Sequence, residues 1–237
     1  MKQTILYVLT GLFLLAGCRQ EETPEAVATG YWVIDGLQKA VAEETPVNGR
    51  GIASVDESET WYVDITNASD EVVVSGQEVT TVSGKIALPE GQYTVSLYNA
   101  AYKENTPNRG KYCLTGASLQ IRAEEVTYAA YEVPLVNFAV RLALPPAFSD
   151  YFSGELLQVT VDSPGAPSYH IAAGETAYFD YQEGIELRYT LGALNADNES
   201  VTTAGTYPKA DEAAIAPGHC YVITYAMPGL LQVVSGF

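Results

Sequence analysis

From Gly30 onward the chain is a succession of short apolar or alternating runs rich in Val, Ile, Tyr and Thr, and Gly, Pro, Asn or Asp interrupts them about every ten residues. Alternation with a period of two turns one side of a strand toward a core and the other toward water. No segment past Thr29 carries the longer period of an amphipathic helix, so the pattern predicts an all-β sandwich in place of βαβ units. Tyr31-Trp32-Val33-Ile34 opens the first strand. Trp61–Ile65 and Glu71–Val74 flank Asn67-Ala68-Ser69-Asp70, a hairpin by its turn residues. Val82–Leu88, Tyr93–Tyr98, Cys113–Ile121 and Val126–Val133 follow as strands, and Lys103–Lys111, carrying Pro107, Asn108 and Gly110, is a loop.

A second set of strands starts after Pro134. Val136, Phe138, Val140, Leu142 and Leu144 share one face, with Asn137 and Arg141 opposite. Pro145-Pro146 ends that strand, because proline cannot donate to a ladder. Ala147–Phe152 is a short helical turn; Leu156–Val161, Tyr169–Ala172, Ala177–Tyr181, Ile185–Leu191 and Tyr221–Ala226 are strands. The terminal run Leu230–Phe237, after the turn Met227-Pro228-Gly229, reads either as the last strand of the second lobe or as a strand that pairs with a neighbouring subunit's open edge. The prediction is two tandem immunoglobulin- or transthyretin-like β-sandwich lobes, 30–135 and 136–237. Leu88–Val95 and Ala216–Ile223 both run Pro, Gly, then a Tyr-led strand, an echo expected of two similar lobes.

The start of the chain fixes a compartment. Met1-Lys2 precedes the apolar run Ile5–Ala16, twelve residues that would span about 18 Å as a helix, short of the roughly 30 Å hydrocarbon layer. That length suits a secretory signal peptide better than a membrane-spanning helix. The run ends in Leu15-Ala16-Gly17-Cys18, which resembles a bacterial lipobox. Small Ala16 and Gly17 admit a peptidase, and the Cys18 sulfur can carry diacylglycerol as a thioether. Residues 1–17 are therefore expected to be a lipoprotein signal peptide and 18–29 an acidic tether, held to the membrane by acyl chains that bind firmly when there are two or more. Arg19-Gln20-Glu21-Glu22 resembles the surface-export signal of Bacteroidota lipoproteins.

Three further segments strengthen that resemblance. Leu88-Pro89-Glu90-Gly91-Gln92-Tyr93-Thr94-Val95, the lobe-joining Val133-Pro134-Leu135-Val136-Asn137-Phe138-Ala139-Val140, and Tyr151-Phe152 followed by Leu156–Val161 and Gly174–Phe179 are similar to motifs of a Bacteroidota lipoprotein family named only as a domain of unknown function. The similarity spans roughly Gly30 to Tyr225, and departs at Cys113–Leu119, where the family's aromatic-Pro segment has no counterpart. Such lipoproteins resemble the two-lobed fimbrillin and pilus-anchor sandwiches of the same phylum, which implies a setting more than a function.

Composition narrows the partners. The 237 residues carry 29 acidic against 12 basic side chains, a net charge of −17, so phosphate backbones and anionic headgroups would repel the chain and nucleic acid is not an expected partner. Hydrophobic residues at 47% are enough for real cores. Three cysteines and two histidines are too few for a zinc framework. His219 and Cys220 are neighbours, so a strand would point them to opposite faces and they cannot act as base and nucleophile. No nucleophile elbow, phosphate loop, dinucleotide fingerprint or His-Glu-x-x-His motif occurs. No catalytic residue, cofactor or metal is expected.

Four features remain as candidates. Cys113 and Cys220, in different lobes, could pair in an oxidising compartment or simply be buried as small hydrophobes. Asn195, Asp197 and Glu199 alternate oxygen ligands as a calcium loop does, but lack its turn glycine and distal glutamate, which favours a solvated turn. Trp32, Trp61, Tyr102, Tyr112 and Tyr207 lie near expected edges or loops and are candidate glycan contacts, although tyrosine is also an ordinary strand residue. Taken together, the sequence predicts a non-enzymatic outer-membrane surface lipoprotein of adhesive or fimbria-like character, whose partners are the membrane through Cys18 and other surface or pilus subunits. The alternative is a glycan-binding accessory lipoprotein of a polysaccharide-uptake system.

Overall fold

The computed structural model describes residues 28–44, 50–54, 59–79, 84–162, 165–208, 210 and 212–224. The lipobox Leu15, Ala16, Gly17 and Cys18, most of the tether and the terminal run 230–237 lie outside the described residues.

Fifteen strands follow one another: β1 (Thr29–Glu44), β2 (Arg50–Ser54), β3 (Trp61–Asn67), β4 (Val72–Val79), β5 (Lys85–Pro89), β6 (Gly91–Asn99), β7 (Cys113–Ile121), β8 (Val126–Pro134), β9 (Phe138–Ala143), β10 (Phe152–Val161), β11 (Ser168–Ile171), β12 (Thr176–Phe179), β13 (Leu187–Asn195), β14 (Ser200–Tyr207) and β15 (His219–Thr224). A helical turn, α1 (Ala100–Lys103), follows β6, and a short 3-10 turn, Phe148–Asp150, lies between β9 and β10 inside the segment expected to be helical. Two four-stranded sheets have the orders β4-β3-β6-β7 and β11-β10-β13-β14. A seven-stranded sheet runs β12-β9-β15-β1-β2, with β5 and β8 flanking β1.

These pairings give both halves one wiring. In the first half β1 pairs antiparallel with β5 and parallel with β8. In the second, β9 pairs antiparallel with β12 and parallel with β15. The remaining strands match as well, with β3 between β4 and β6 as β10 is between β11 and β13. The expected two-lobed all-β sandwich is what forms. An immunoglobulin sandwich sets its first, second, fifth and fourth strands in one sheet. With β2, an added partner of β1 that has no counterpart in the second lobe, left out of the count, the first and fourth strands of each lobe sit together and the second and fifth lie in the facing sheet, which leaves the transthyretin-like type of the two expected.

The Pro-Gly-Tyr echo does not mark equivalent places in this wiring. Leu88–Tyr93 turns from β5 into β6, the fourth and fifth strands of its lobe, whereas Ala216–Tyr221 leads into β15, the seventh of the other. Both sites do tie a tyrosine hydroxyl back to the preceding turn, Tyr93 donating to the Pro89 carbonyl and Tyr221 accepting from the Ala216 N–H, each at 2.8 Å. The echo is thus a recurrent device for entering a strand, and similarity of the lobes resides in the strand order.

Each lobe closes on its own apolar cluster. Trp32, Trp61, Val63, Val95, Leu97 and Ile121 are prominent in one, and Phe138, Leu157, Val159, Ile171, Phe179 and Leu187 in the other. A fully buried side chain of this size stabilises the fold by about 1.5–3 kcal/mol. The clusters draw their buried members from residues 32–135 and 138–221 respectively.

The strand that joins them is β1. Its first part buries Trp32 and Ile34; a bulge between Ile34 and Gly36 then shifts the phase, so that Leu37 is the next to face inward. After following β8 as far as the Ala40–Pro134 pair, β1 continues in parallel with β15, matching Ala42 to His219 and Glu44 to Tyr221. One continuous strand therefore belongs to the sheets of both lobes.

Candidate functional site

The junction beside β1 is built by buried polar side chains. Asn99, at the end of β6, is fully buried and spends all its hydrogen-bonding capacity on the chain around it. Its Oδ1 accepts from the backbone N–H groups of Tyr102 and Tyr112, and its Nδ2 donates to the Gly110 carbonyl and to Glu59 Oε1. The bond from Tyr102 caps α1, and those to Tyr112 and Gly110 pull Gly110–Tyr112 back against β6, so residues 100–111 form a closed excursion. Asn137, just before β9, grips the same excursion from the second lobe. Its Oδ1 accepts from the Lys111 N–H at 3.0 Å and its Nδ2 donates to the Arg109 carbonyl at 2.9 Å. The Asn137 carbonyl in turn accepts from Gly218 at 2.9 Å, ahead of β15.

Two more links cross between the lobes. Asn108 Oδ1 accepts from the backbone N–H of Tyr178 on β12 at 2.9 Å. Lys111 Nζ donates at 2.5 Å both to Asn105 Oδ1 and to the Asp180 carboxylate. Asn105 and Asn108 each hold φ near +52°, a left-handed conformation that asparagine tolerates better than most residues. Gly110 sits where a Cβ would come within 2.9 Å of the Tyr112 ring and 3.1 Å of the Tyr178 ring, so any larger residue would have to push these rings aside.

Between the excursion and the second lobe lies a cleft of about 380 Å³, lined among others by Asn105, Asn108, Tyr169, Tyr178, Asp180 and Gln182. That volume falls within the range of small-molecule sites. Burial pushes the Tyr169 and Tyr178 hydroxyls above the ordinary tyrosine value, with Asp180 adding to the first and Cys220 and Glu59 to the second. Both rings therefore stay neutral around physiological pH. The Lys111 ammonium beside the cleft is already engaged by Asp180, and the Arg109 guanidinium partly offsets the rise at Tyr178.

The aromatic candidates fall elsewhere. Trp32, Trp61 and Tyr112 are core residues, at 0%, 2% and 4% exposure, and cannot stack on an external sugar. They start or border strands as the sequence suggests, but their side chains lie on the inward face: Trp32 packs edge-on against Tyr131, and Trp61 against Tyr112. Tyr207 is half-buried with its ring 5.2 Å from Tyr221. Tyr102 is exposed at 42% and ends a row of three rings on the outer face of β3 and β6, with Tyr62–Tyr98 centroids 5.9 Å apart and Tyr98–Tyr102 5.8 Å apart. Lys103 Nζ covers Tyr62 at 3.5 Å, so these rings mainly face one another and that cation.

Cys113 and Cys220 are both buried thiols and are not joined. Cys113 is on β7 of one four-stranded sheet, beside Tyr102, and Cys220 pairs with Ala139 in the seven-stranded sheet. The Asn195 loop is a turn: Asn195 Oδ1 accepts from the N–H groups of Asp197 and Glu199, and Asn195 Nδ2 donates to the Glu199 carboxylate. Asn67 and Glu71 repeat this arrangement between β3 and β4. In the Asn195 loop, Asn195 Oδ1 and one Glu199 oxygen are committed to the hairpin. Among the described residues no group of three or more His, Cys, Asp and Glu is placed to hold a metal ion.

Neither tyrosine of the cleft, nor Asp180, was among the sequence candidates. The one available signal was the loop composition of Lys103–Lys111; its counterparts in the second lobe are about seventy residues away, as the 70-residue separation of Asn108 and Tyr178 shows.

A two-lobed sandwich with a cleft at its junction is the class of protein these features define. The chain belongs to the DUF4493 family, a domain of unknown function, which it matches over residues 36–233. No curated protein matches it. Among solved structures it is similar to a candidate cell adhesion protein from Bacteroides fragilis, with 12% identity, a TM-score of 0.43, and coverage of 80% of this chain and 91% of that one. Two candidate adhesins from Bacteroides ovatus are also similar. One has 14% identity and a TM-score of 0.33 over 82% of this chain and 94% of its own. The other has 9% identity and a TM-score of 0.40 over 83% and 87%.

Proposed function

We propose that the protein is a non-enzymatic surface lipoprotein, tethered through Cys18 to the outer membrane and facing outward, that acts as an adhesive or fimbria-like subunit. The observation that carries this reading is the passage of β1 from the sheet of one lobe into that of the other. A shared strand and the Asn137–Lys111 latch resist bending between lobes, which is what a tethered body needs to hold a contact surface away from a membrane. In this reading lobes 30–135 and 136–237 move as one piece, and residues 18–29 supply the slack. The lipobox and the acidic residues after it support the anchor and its outward face.

The experiment is Cys18→Ser in cells that express the full chain. The variant is expected in the soluble fraction, and the parent in the membrane fraction, where protease added to intact cells digests it. Cells carrying the parent should adhere to a glycoprotein-coated surface more than cells carrying Cys18→Ser. A serine variant that still partitions with membrane removes the anchor, and a parent that resists protease until lysis removes the outward orientation.

A further inference from the structure

The geometry points to the inter-lobe cleft as a binding site for a short, uncharged saccharide. Its polar lining is amide and phenol with one carboxylate, Asp180. Among the described residues, the amide nitrogens of Asn105 and Asn108 and the whole side-chain amide of Gln182 make no hydrogen bond to the protein, while the amide oxygens of Asn105 and Asn108 are held by Lys111 and the Tyr178 N–H. The two asparagines are thus fixed in orientation with donors to spare. Gln182, exposed at the rim, offers a donor and an acceptor. Paired donors and acceptors are what a ring of hydroxyl groups needs, since each hydroxyl both gives and accepts.

The apolar part of the lining fits the same ligand. Tyr169 and Tyr178 are half-buried, so each ring keeps some open surface, and a tyrosine presents an apolar body with a polar tip. The C–H face of a sugar can rest on the first while its hydroxyls reach the second. Tyr169 is itself backed by Phe179, with ring centroids 5.0 Å apart, which holds the platform in place.

Charge argues against other ligands of this size. Asp180, 63% exposed at its side chain, and the overall charge of −17 would repel an anion; the Lys111 ammonium is occupied by that carboxylate, which leaves the Arg109 guanidinium, near Tyr178, as the cation set against them. A cation would meet a single carboxylate that already has its counterion. The cleft's walls belong to different lobes but are clamped by the Asn108–Tyr178 and Lys111–Asp180 links, so little ordering remains to be done on binding. This inference does not depend on the lipid anchor or on an adhesive role.

The test is calorimetric titration of the full chain with short neutral gluco-, manno- and galacto-oligosaccharides, and with sialylated and uronic-acid counterparts. Saturable binding to at least one neutral member is expected, with the acidic series weaker. Gln182→Ala and Tyr169→Ala should each weaken it by about tenfold, the equivalent of one lost hydrogen bond or stacking contact. Among the described residues the Gln182 side chain makes no hydrogen bond, and its backbone carbonyl keeps its bond from Ile185 in the variant, which should therefore melt with the parent. Tyr102→Ala, on the other ring cluster, should bind as the parent does. No binding to any neutral member, equal or stronger binding of the acidic series, or loss of binding in Tyr102→Ala with Gln182→Ala unaffected would each overturn the assignment.

Discussion

Lys111 and Asp180 meet at 2.5 Å across the lobe junction with opposite exposures: the lysine side chain is 7% exposed and the aspartate 63%. Their removal should therefore have unequal consequences. Asp180→Ala leaves a buried ammonium with only Asn105 as partner, and is expected to cost about 1–3 kcal/mol, less than a fully buried pair because water reaches the site. Lys111→Met keeps the apolar stem, removes the buried charge and returns Asp180 to water, so it should change stability by less than about 1 kcal/mol. Urea unfolding of the two variants checks the order; equal losses would mean that the pair contributes through packing alone.

Asn137 is a stricter requirement than that ion pair. Truncation to Ala leaves the Lys111 N–H and the Arg109 carbonyl without their partner, and an unmatched buried group costs about 1–3 kcal/mol. A loss of about 2–5 kcal/mol is expected for Asn137→Ala, together with faster amide exchange at Lys111. Unchanged exchange there would show that the excursion is held by Asn99 and not by the second lobe.

How much of this was legible in the sequence depends on the range of the signal. Strands such as β3, β6 and β10 announce themselves because alternate residues, for instance Tyr93, Val95 and Leu97, go to the core. β14 gave no such signal: Ser200–Tyr207 has no buried residue, because it is an edge strand exposed on most of its length. The continuation of β1 past Ile34 was hidden by the bulge at Gly36, which puts Trp32, Ile34 and Leu37 out of a single period. Trp32 and Trp61 read as surface contacts in the sequence because it tells which positions share a face but not which face is inside. The cleft is a meeting of segments remote in the chain, and no local pattern encodes it.

Close approach of backbones supplies a sharper prediction at two glycines. A Cβ at Gly30 would stand 2.1 Å from the Arg122 carbonyl oxygen, a backbone atom that cannot swing aside, and 2.8 Å from Ile121 Cγ2. At Gly110 the obstacles are the Tyr112 and Tyr178 rings, which can tilt. Gly30→Ala should be the more damaging, beyond the about 1–3 kcal/mol usual for overpacking, and Gly110→Ala should fall within it. Thermal melts of both variants decide this; the reverse ranking would mean that the ring cluster is the more rigid of the two.

Cys113 and Cys220 should behave as inert thiols. Burial pushes the Cys113 thiol above its ordinary value, and the thiolate is the reactive species. An alkylating reagent added to the folded chain without reductant should leave both cysteines unmodified, whereas in denaturant it should block both. One missing pair of adducts in denaturant, restored by reductant, would reveal a bridge.

Alkaline pH should unfold the protein by way of its tyrosines. Tyr98 is pushed up to about 12, first by burial and then by the Asp64 carboxylate, whose Oδ1 accepts its hydroxyl at 3.2 Å. Burial likewise raises Tyr93, Tyr131, Tyr169 and Tyr178. In the unfolded chain these phenols lose their protons near the usual value of about 10. Between that value and the raised one, the folded state binds more protons than the unfolded, so stability falls as pH rises. Their contribution is complete below about pH 10 and declines through about pH 12. Phenolate absorbance and unfolding free energy, followed together across this window, should change in step. Tyr98→Phe removes one titrating group and should flatten the decline, although it also gives up the bond to Asp64 and lowers stability at neutral pH. A decline as steep in Tyr98→Phe as in the parent would assign the alkaline transition to the other tyrosines.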